Sequence, residues 1–131
     1  MNSFHAKVIN IQSVENLNII TFTSADTTLK IMSLDLNDKL KRDAKVLLTC
    51  KPTAIAIAKN ITGELSYSNQ IHATISAIEM GQLLCCLQLH FNGVMFESII
   101  TSDSAKRLKL QINDNVTALI KSTDLSIERI L

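Results

Sequence analysis

Few residues of this chain have the type and spacing that chemistry on a substrate requires. Asp103, Asp114 and Asp124 could act as acids or bases, but none is paired with a nucleophile and a histidine at a recognisable spacing. The sequence also contains no glycine-rich phosphate loop and no zinc-hydrolase motif. These residue types therefore predict that the protein is not an enzyme.

The cysteines and two of the histidines do not form a metal-binding pattern. Cys50, Cys85 and Cys86 are odd in number and two of them are adjacent, which fits neither a disulfide framework nor C-x-x-C spacing. His5 and His72 lie in alternating, strand-like patterns with no Cys, Asp or Glu at ligand spacing. We expect buried thiols and no bound metal ion.

One short segment, Lys121-Ser122-Thr123, carries groups that suit an anion. Lys121 supplies a positive charge, Ser122 supplies a hydroxyl, and a turn here can direct successive backbone N–H groups to one point. Charge-assisted hydrogen bonds from such donors contribute roughly 1.5–3 kcal/mol each. On the residues alone, a solvated strand end is the simpler interpretation, and both remain open.

The elements that would position this segment occur twice in the chain. Residues 1–11 (MNSFHAKVINI) return as residues 68–78 (SNQIHATISAI), with an offset of 67 residues. Residues 46–53 (VLLTCKPT) return as residues 116–123 (VTALIKST), with an offset of 70. The chain of 131 residues therefore contains two copies of one small module.

Each copy is near the lower size limit for a stable independent core. We predict two domains, at residues 1–60 and 65–131, joined by the polar, glycine-containing segment 60–64. Burial of apolar surface between the copies, or between chains, is expected to make up the deficit.

Alternating apolar and polar residues predict five strands in each copy, with a short helix between the third and fourth. Asn92-Gly93 and the segment 24–26 predict tight hairpin turns between the second and third strands. This order is typical of an OB-like Greek-key barrel, so we predict an all-β protein with short helices, built from two tandem barrels. The predicted strands are 4–12, 17–23, 27–33, 45–51 and 54–58, then 70–79, 83–91, 94–101, 115–121 and 125–130, with helices at 34–41 and 103–109.

Composition argues against several functional classes. Thirteen basic and 12 acidic residues give a net charge of +1, and four Phe with one Tyr provide no stacking surface, so direct nucleic-acid binding is not expected. No run approaches the roughly 18 apolar residues of a membrane span, and no leader pattern opens the chain. We expect a cytoplasmic protein without membrane insertion. A small anion can still bind, because a local pocket does not need a high net charge of the whole protein.

Three phrases of the second copy resemble the molybdate-binding Mop domain, also called molbindin or TOBE. Residues 65–70 (LSYSNQ) are similar to its Ser-Ala-Arg-Asn-Gln opening phrase, and residues 118–125 (ALIKSTDL) are similar to its Ile-Lys-Ala-Ser/Thr-Asp-Val closing phrase. The third phrase, residues 99–110, stands between them. The resemblance implies two barrels of the Mop/TOBE type and a cytosolic protein that binds molybdate or tungstate for storage, homeostasis or sensing. It also implies a trimer with oxyanions held between subunits.

The same resemblance implies which residues donate to the oxyanion. They are Ser66, Ser68 and Asn69 facing Lys121, Ser122 and Thr123 in the second copy, and Asn2, Ser3, Lys51 and Thr53 in the fainter first copy.

Two departures from the family pattern bear on function. The arginine of the opening phrase is Ser68 in the second copy and Met1 in the first. The family's Gly-Ala-Val-Asn segment reads GQLL at residues 81–84 of the second copy and VENL at residues 14–17 of the first. At the first-copy site, Pro52 also lacks a backbone donor. Replacing a guanidinium by a hydroxyl weakens the capture of a dianion unless another Lys or Arg fills the space. The alternative is a ligand-free oligomerisation or interaction module, related to transporter accessory or regulator domains.

Overall fold

The computed structural model describes residues 1–131, which form ten strands and one short α-helix. No helix of the chain has the length and apolar character needed to cross a membrane. The strands are β1 (Asn2–Val14), β2 (Leu17–Ser24), β3 (Thr27–Ser33), β4 (Lys45–Cys50), β5 (Ala56–Ala58), β6 (Asn69–Met80), β7 (Leu84–Phe91), β8 (Val94–Thr101), β9 (Asn115–Ile120) and β10 (Ser126–Ile130), and the helix is α1 (Ser102–Arg107). A single 3-10 turn spans Pro52–Ala54.

Most strands bury every second residue, as the alternating sequence predicts. In β1 the buried residues are Asn2, Phe4, Ala6 and Val8, while the residues between them face solvent. The prediction of an all-β protein with short helices is confirmed. Each copy also has a bulge at an equivalent point, at residues 8–10 of β1 and 75–77 of β6, where the strand bends to curl its sheet.

Both predicted hairpin turns are confirmed. Ala25 and Asp26 have φ angles of 47° and 65°, and Asn92 and Gly93 have φ angles of 46° and 81°. Positive φ at both central residues is typical of the type I′ turn, whose twist matches that of the flanking strands.

The helix of the second copy forms, but the helix predicted at 34–41 does not. α1 begins after Thr101, whose hydroxyl accepts a hydrogen bond from the N–H of Ser104 at 3.1 Å. The equivalent segment of the first copy folds into turns, because the side chain of Asn37 accepts a hydrogen bond from the Lys39 N–H at 2.8 Å. Such local bonds of Asn compete with helical backbone bonds.

The two copies exchange their last strands. One sheet has the order β10-β4-β1-β2-β3, and the other has the order β5-β9-β6-β7-β8. Thus β5, from the first copy, pairs with β9, and β10, from the second copy, pairs with β4. Backbone hydrogen bonding therefore crosses the boundary between the two repeats. The division into domains at residues 1–60 and 65–131 describes the sequence repeat, and as a division of the structure it stays a prediction.

A shared core joins the two sheets. The ring of Phe4, in the first copy, lies 5.5 Å from that of Phe96 and 6.4 Å from that of Phe91, both in the second copy. One cluster of 25 buried residues extends through both copies. Each copy thus completes the other's core, which compensates for its small size.

Candidate functional site

The structure brings five of the predicted second-copy residues together in one small cleft. It has a volume of about 220 Å³. The cleft is lined by Ser66, Tyr67, Ser68, Lys121, Ser122 and Thr123 of the same chain.

The pairing of two strands explains why these segments meet. β6 and β9 are antiparallel, with Asn69 opposite Ile120. The residues just before β6 therefore lie beside the residues just after β9. This relation follows from the register alone, and it places Ser66–Ser68 next to Lys121–Thr123.

A tight turn after β9 shapes one wall of the cleft. The N–H of Asp124 donates to the carbonyl of Lys121 at 2.9 Å, which closes the turn around Ser122. The carbonyl of Ser122 accepts a hydrogen bond from the N–H of Met32 at 3.0 Å. The turn is thus anchored to β3, an outer strand of the first copy's sheet.

The polar groups of the cleft are free to bind a ligand. The two ion pairs of the protein, Lys7–Asp43 and Lys59–Asp114, do not involve Lys121, so its ammonium is unpaired. No carboxylate lines the cleft. The hydroxyls that line it make no side-chain hydrogen bond within the chain; they belong to Ser66, Tyr67, Ser68, Ser122 and Thr123. One cation and a set of neutral donors suit an anion rather than a metal ion.

Asn69 does not line the cleft and instead holds it in place. Its side chain is fully buried. Its Oδ1 accepts a hydrogen bond from the N–H of Lys30 at 2.6 Å, and its Nδ2 donates to the carbonyl of Lys30 at 2.9 Å. The amide therefore binds the outward-facing backbone of β3 and fixes the chain next to Ser68.

Asn2 makes the same contact in the first copy. Its Oδ1 accepts from the N–H of Glu97 at 2.8 Å, and its Nδ2 donates to the carbonyl of Glu97 at 2.7 Å. Each asparagine thus clamps the outer strand of the other copy, β3 or β8. Such bonds also cover strand edges that would otherwise expose unpaired backbone groups.

The remaining first-copy candidates are not gathered around a cleft. Ser3, Lys51 and Thr53 are exposed. Thr53 lines a different, mostly apolar cleft that also contains Tyr67 and Asp124. Ser3 and Lys51 line neither this cleft nor the one around Lys121.

Sequence reasoning missed two features of the site. Tyr67 lies in the cleft, and its position between Ser66 and Ser68 was the available signal. The contribution of β3, through Lys30 and Met32, had no signal in the sequence because it depends on how the copies meet.

The acidic, thiol and imidazole groups form no second reactive centre. No three His, Cys, Asp or Glu residues cluster closely enough to hold a metal ion. Cys50 and Cys85 are buried and all three cysteines are free thiols. Burial raises the pKa of the Cys50 and Cys85 thiols, so they remain protonated and poorly nucleophilic.

The fold and the cleft define a class: an all-β protein of two curled, OB-like halves with a small, cation-bearing polar cleft. The sequence of residues 65–127 matches the TOBE domain. The chain belongs to the TOBE family, as the resemblance predicted.

Two solved structures are similar to this chain. A molybdate-binding protein from Sporomusa ovata is 30% identical, with a TM-score of 0.50, and the match covers 51% of this chain and all of that one, 100%. The cytoplasmic molybdate-binding protein ModG, solved with molybdate bound, matches 96% of this chain and 94% of its own with a TM-score of 0.91. Its identity is 19%, so that likeness establishes the fold. No curated protein matches the sequence significantly.

Proposed function

We propose that this protein binds molybdate or tungstate reversibly in the cleft between residues 66–68 and 121–123, and that it serves in storage, homeostasis or sensing of the oxyanion. The observation that carries the proposal is the unpaired ammonium of Lys121 beside free hydroxyls in a cleft without carboxylates. The binding of molybdate by the two similar proteins supports the choice of ligand.

The size of the cleft suits a small dianion. A water molecule occupies about 30 Å³ in the liquid, so 220 Å³ accommodates one tetrahedral oxyanion with several waters. Organic ligands of drug size generally occupy clefts of about 300–1,000 Å³. Holding such an oxyanion needs hydrogen-bond donors and positive charge but no catalytic group, so a binding protein rather than an enzyme is the consistent interpretation.

Each part of the cleft has a role in this proposal. Lys121 supplies the charge, while Ser122 and Thr123 supply hydroxyls and the amides of their turn. Ser66 and Ser68 donate from the facing wall. Asn69 acts as a positioning residue, since its amide is engaged with Lys30.

We further propose that the protein works in the cytoplasm as a homo-oligomer, with a trimer as the expected form and no direct contact with nucleic acid. Several large apolar side chains support association because they are exposed in the single chain. Leu83 is 81% exposed, Val14 is 73% exposed and Leu34 is 69% exposed. Apolar groups at this exposure are typical of surfaces that contact another protein when they form patches.

Isothermal titration of the protein with sodium molybdate, tungstate and sulfate tests the proposal. We expect molybdate and tungstate to bind, and the Lys121→Ala variant to lose at least about tenfold in affinity, since a charge-assisted bond contributes roughly 1.5–3 kcal/mol. Lys51→Ala is the matched control, because Lys51 is the equivalent residue of the first copy and lines no comparable cleft. We expect that control to bind like the wild type.

The replacement of the family arginine by Ser68 and Met1 favours a second candidate, a ligand-free oligomerisation or interaction module. Absence of heat with all three anions, from a folded and oligomeric protein, would establish that alternative. Equal affinity of the wild type and Lys121→Ala would show that the anions bind elsewhere.

A further inference from the structure

The two outer strands that the asparagines clamp carry opposite charges at the clamped position. Asn2 and Asn69 are separated by the repeat offset of 67 residues, and so are Lys30 and Glu97. Asn69 binds both backbone groups of Lys30, and Asn2 binds both backbone groups of Glu97. The backbone contacts of the two copies are therefore equivalent at this point, while the clamped residues carry side chains of opposite charge.

Lys30 belongs to a strand that contacts both walls of the second-copy cleft. Its backbone is bonded to Asn69, which directly follows the cleft residue Ser68. Two residues further along β3, the N–H of Met32 donates to the carbonyl of Ser122 at 3.0 Å. The side chain of Lys30 is exposed and belongs to neither of the two ion pairs. Its ammonium is thus a positive charge outside any ion pair, on a strand whose backbone is bonded to residues of both cleft walls.

The residue that Asn2 clamps in the first copy carries the opposite charge. Glu97 is bonded through its backbone to Asn2, which directly precedes Ser3. Asp124 lines the cleft that contains Thr53, and the equivalent position of the other copy is Ala54. Asp124 also directly follows Thr123 of the second-copy cleft, so it lies near both copies, and Glu97 is the charge that differs between them.

Simple electrostatics makes this difference decisive for a dianion. Charges act over a Debye length of about 8 Å at physiological ionic strength, and the backbone of Lys30 is one hydrogen bond and one residue away from Ser68. A dianion experiences twice the interaction of a monoanion with each charge. A single Lys or Glu at this position therefore strengthens or weakens capture without touching the ligand.

We propose that Lys30 and Glu97 decide which copy binds the oxyanion: Lys30 supplies the second copy with the positive charge that Ser68 no longer provides, and Glu97 keeps the first copy empty. This inference rests on the proposed function, and it adds a specificity-determining residue from the opposite half of the chain.

Titration of four variants with sodium molybdate tests the inference. They are Lys30→Met, Lys30→Glu, Glu97→Lys and, as a control, Lys45→Met. The clamps use only the backbone of residues 30 and 97, so these substitutions keep Asn2 and Asn69 bonded. Lys45 is exposed on β4, which lies three strand positions from β3 in the sheet, roughly 14 Å away. Matched urea transitions confirm that all variants are folded.

We expect one molybdate per wild-type chain. Affinity should fall about three- to fivefold in Lys30→Met and about tenfold in Lys30→Glu, whereas Lys45→Met should bind like the wild type. Glu97→Lys should add a second binding event per chain. Wild-type affinity in both Lys30 variants, or an equal loss in Lys45→Met, would overturn the role of Lys30. Two equivalent events in the wild type, or none added by Glu97→Lys, would overturn the role of Glu97. A wild-type protein that binds no molybdate would instead refute the proposed function, and this inference with it.

Discussion

The asparagine clamps provide a quantitative test of how the two copies are held together. Asn69→Ala removes one side chain that is fully buried and that makes two hydrogen bonds to Lys30, at 2.6 and 2.9 Å. Alanine fits the extended backbone of β6, so the change removes the amide without forcing a new conformation. The outward N–H and carbonyl of Lys30 lose their protein partners.

The expected cost follows from those two bonds. A hydrogen bond between uncharged groups contributes about 0.5–1.5 kcal/mol net, and a buried group left without a partner costs about 1–3 kcal/mol. Lys30 itself is exposed, so water can reach part of the vacated backbone. We therefore expect the free energy of unfolding to fall by about 2–3 kcal/mol.

Urea unfolding followed by circular dichroism measures the free energy of unfolding, which is the urea concentration at the midpoint multiplied by the dependence of that free energy on urea concentration. The protein concentration must be the same for all variants, because the stability of an oligomer depends on it. Asn2→Ala should cost about as much as Asn69→Ala, since its two bonds to Glu97 are equivalent. Asn10→Ala is the control, because Asn10 is exposed in β1 and should change stability by less than about 0.5 kcal/mol.

The reasoning would be refuted if Asn69→Ala were as stable as Asn10→Ala. That result would mean that water replaces the amide without loss, and that the contact between the copies depends on the aromatic core alone. A large loss in Asn69→Ala with none in Asn2→Ala would show instead that the two clamps are not equivalent.

Two further predictions concern charge. Ser68→Arg restores the cation of the family's opening phrase, so we expect calorimetry to show that the variant binds molybdate about five- to tenfold more tightly. Unchanged or weaker binding would show that residue 68 does not face the ligand. The pKa of Asp114 lies below its ordinary value of 3.8, chiefly because the Gln111 N–H donates to the carboxylate and also because Lys59 does so, at 2.9 and 3.1 Å. A depressed carboxylate pKa stabilises the folded state at pH values above 3.8, and this contribution is lost as the pH falls through the lower folded pKa. Urea unfolding of Asp114→Asn between pH 6 and pH 3 should therefore show a smaller loss of stability on acidification than the wild type, and parallel curves would contradict the assignment.

Much of the fold was predictable because its signals are local. A strand is predicted by apolar and polar residues that alternate with a period of two, as in β1. A type I′ turn is predicted by residues that readily adopt positive φ, such as Asn92-Gly93. The repeat and the three family phrases also belong to the linear sequence. The segment 34–41 shows the limit of such signals, because leucine spacing predicted a helix while the local bonds of Asn37 favoured turns.

The candidate site was predictable only in part. Ser66, Ser68 and the segment 121–123 were identified from the family phrases, and the structure gathers them in one cleft. Asn69 was expected to be a ligand, yet its amide is engaged with the backbone of Lys30. The sequence does not distinguish an asparagine that faces a ligand from one that faces another strand. The orientation of the Asn69 side chain is therefore known only from the fold.

The sequence by itself determined that two similar β-modules follow one another and which short segments carry cation and hydroxyl groups. Only the tertiary structure decided that β5 and β10 each pair with the sheet of the other copy, and that β3 supports the second-copy cleft. The physical reason is that strand pairing is chosen by packing and hydrogen bonding between residues far apart in the chain. Two similar repeats offer equivalent local partners, and the choice between them depends on burying one shared core, in which Phe4 meets Phe91 and Phe96.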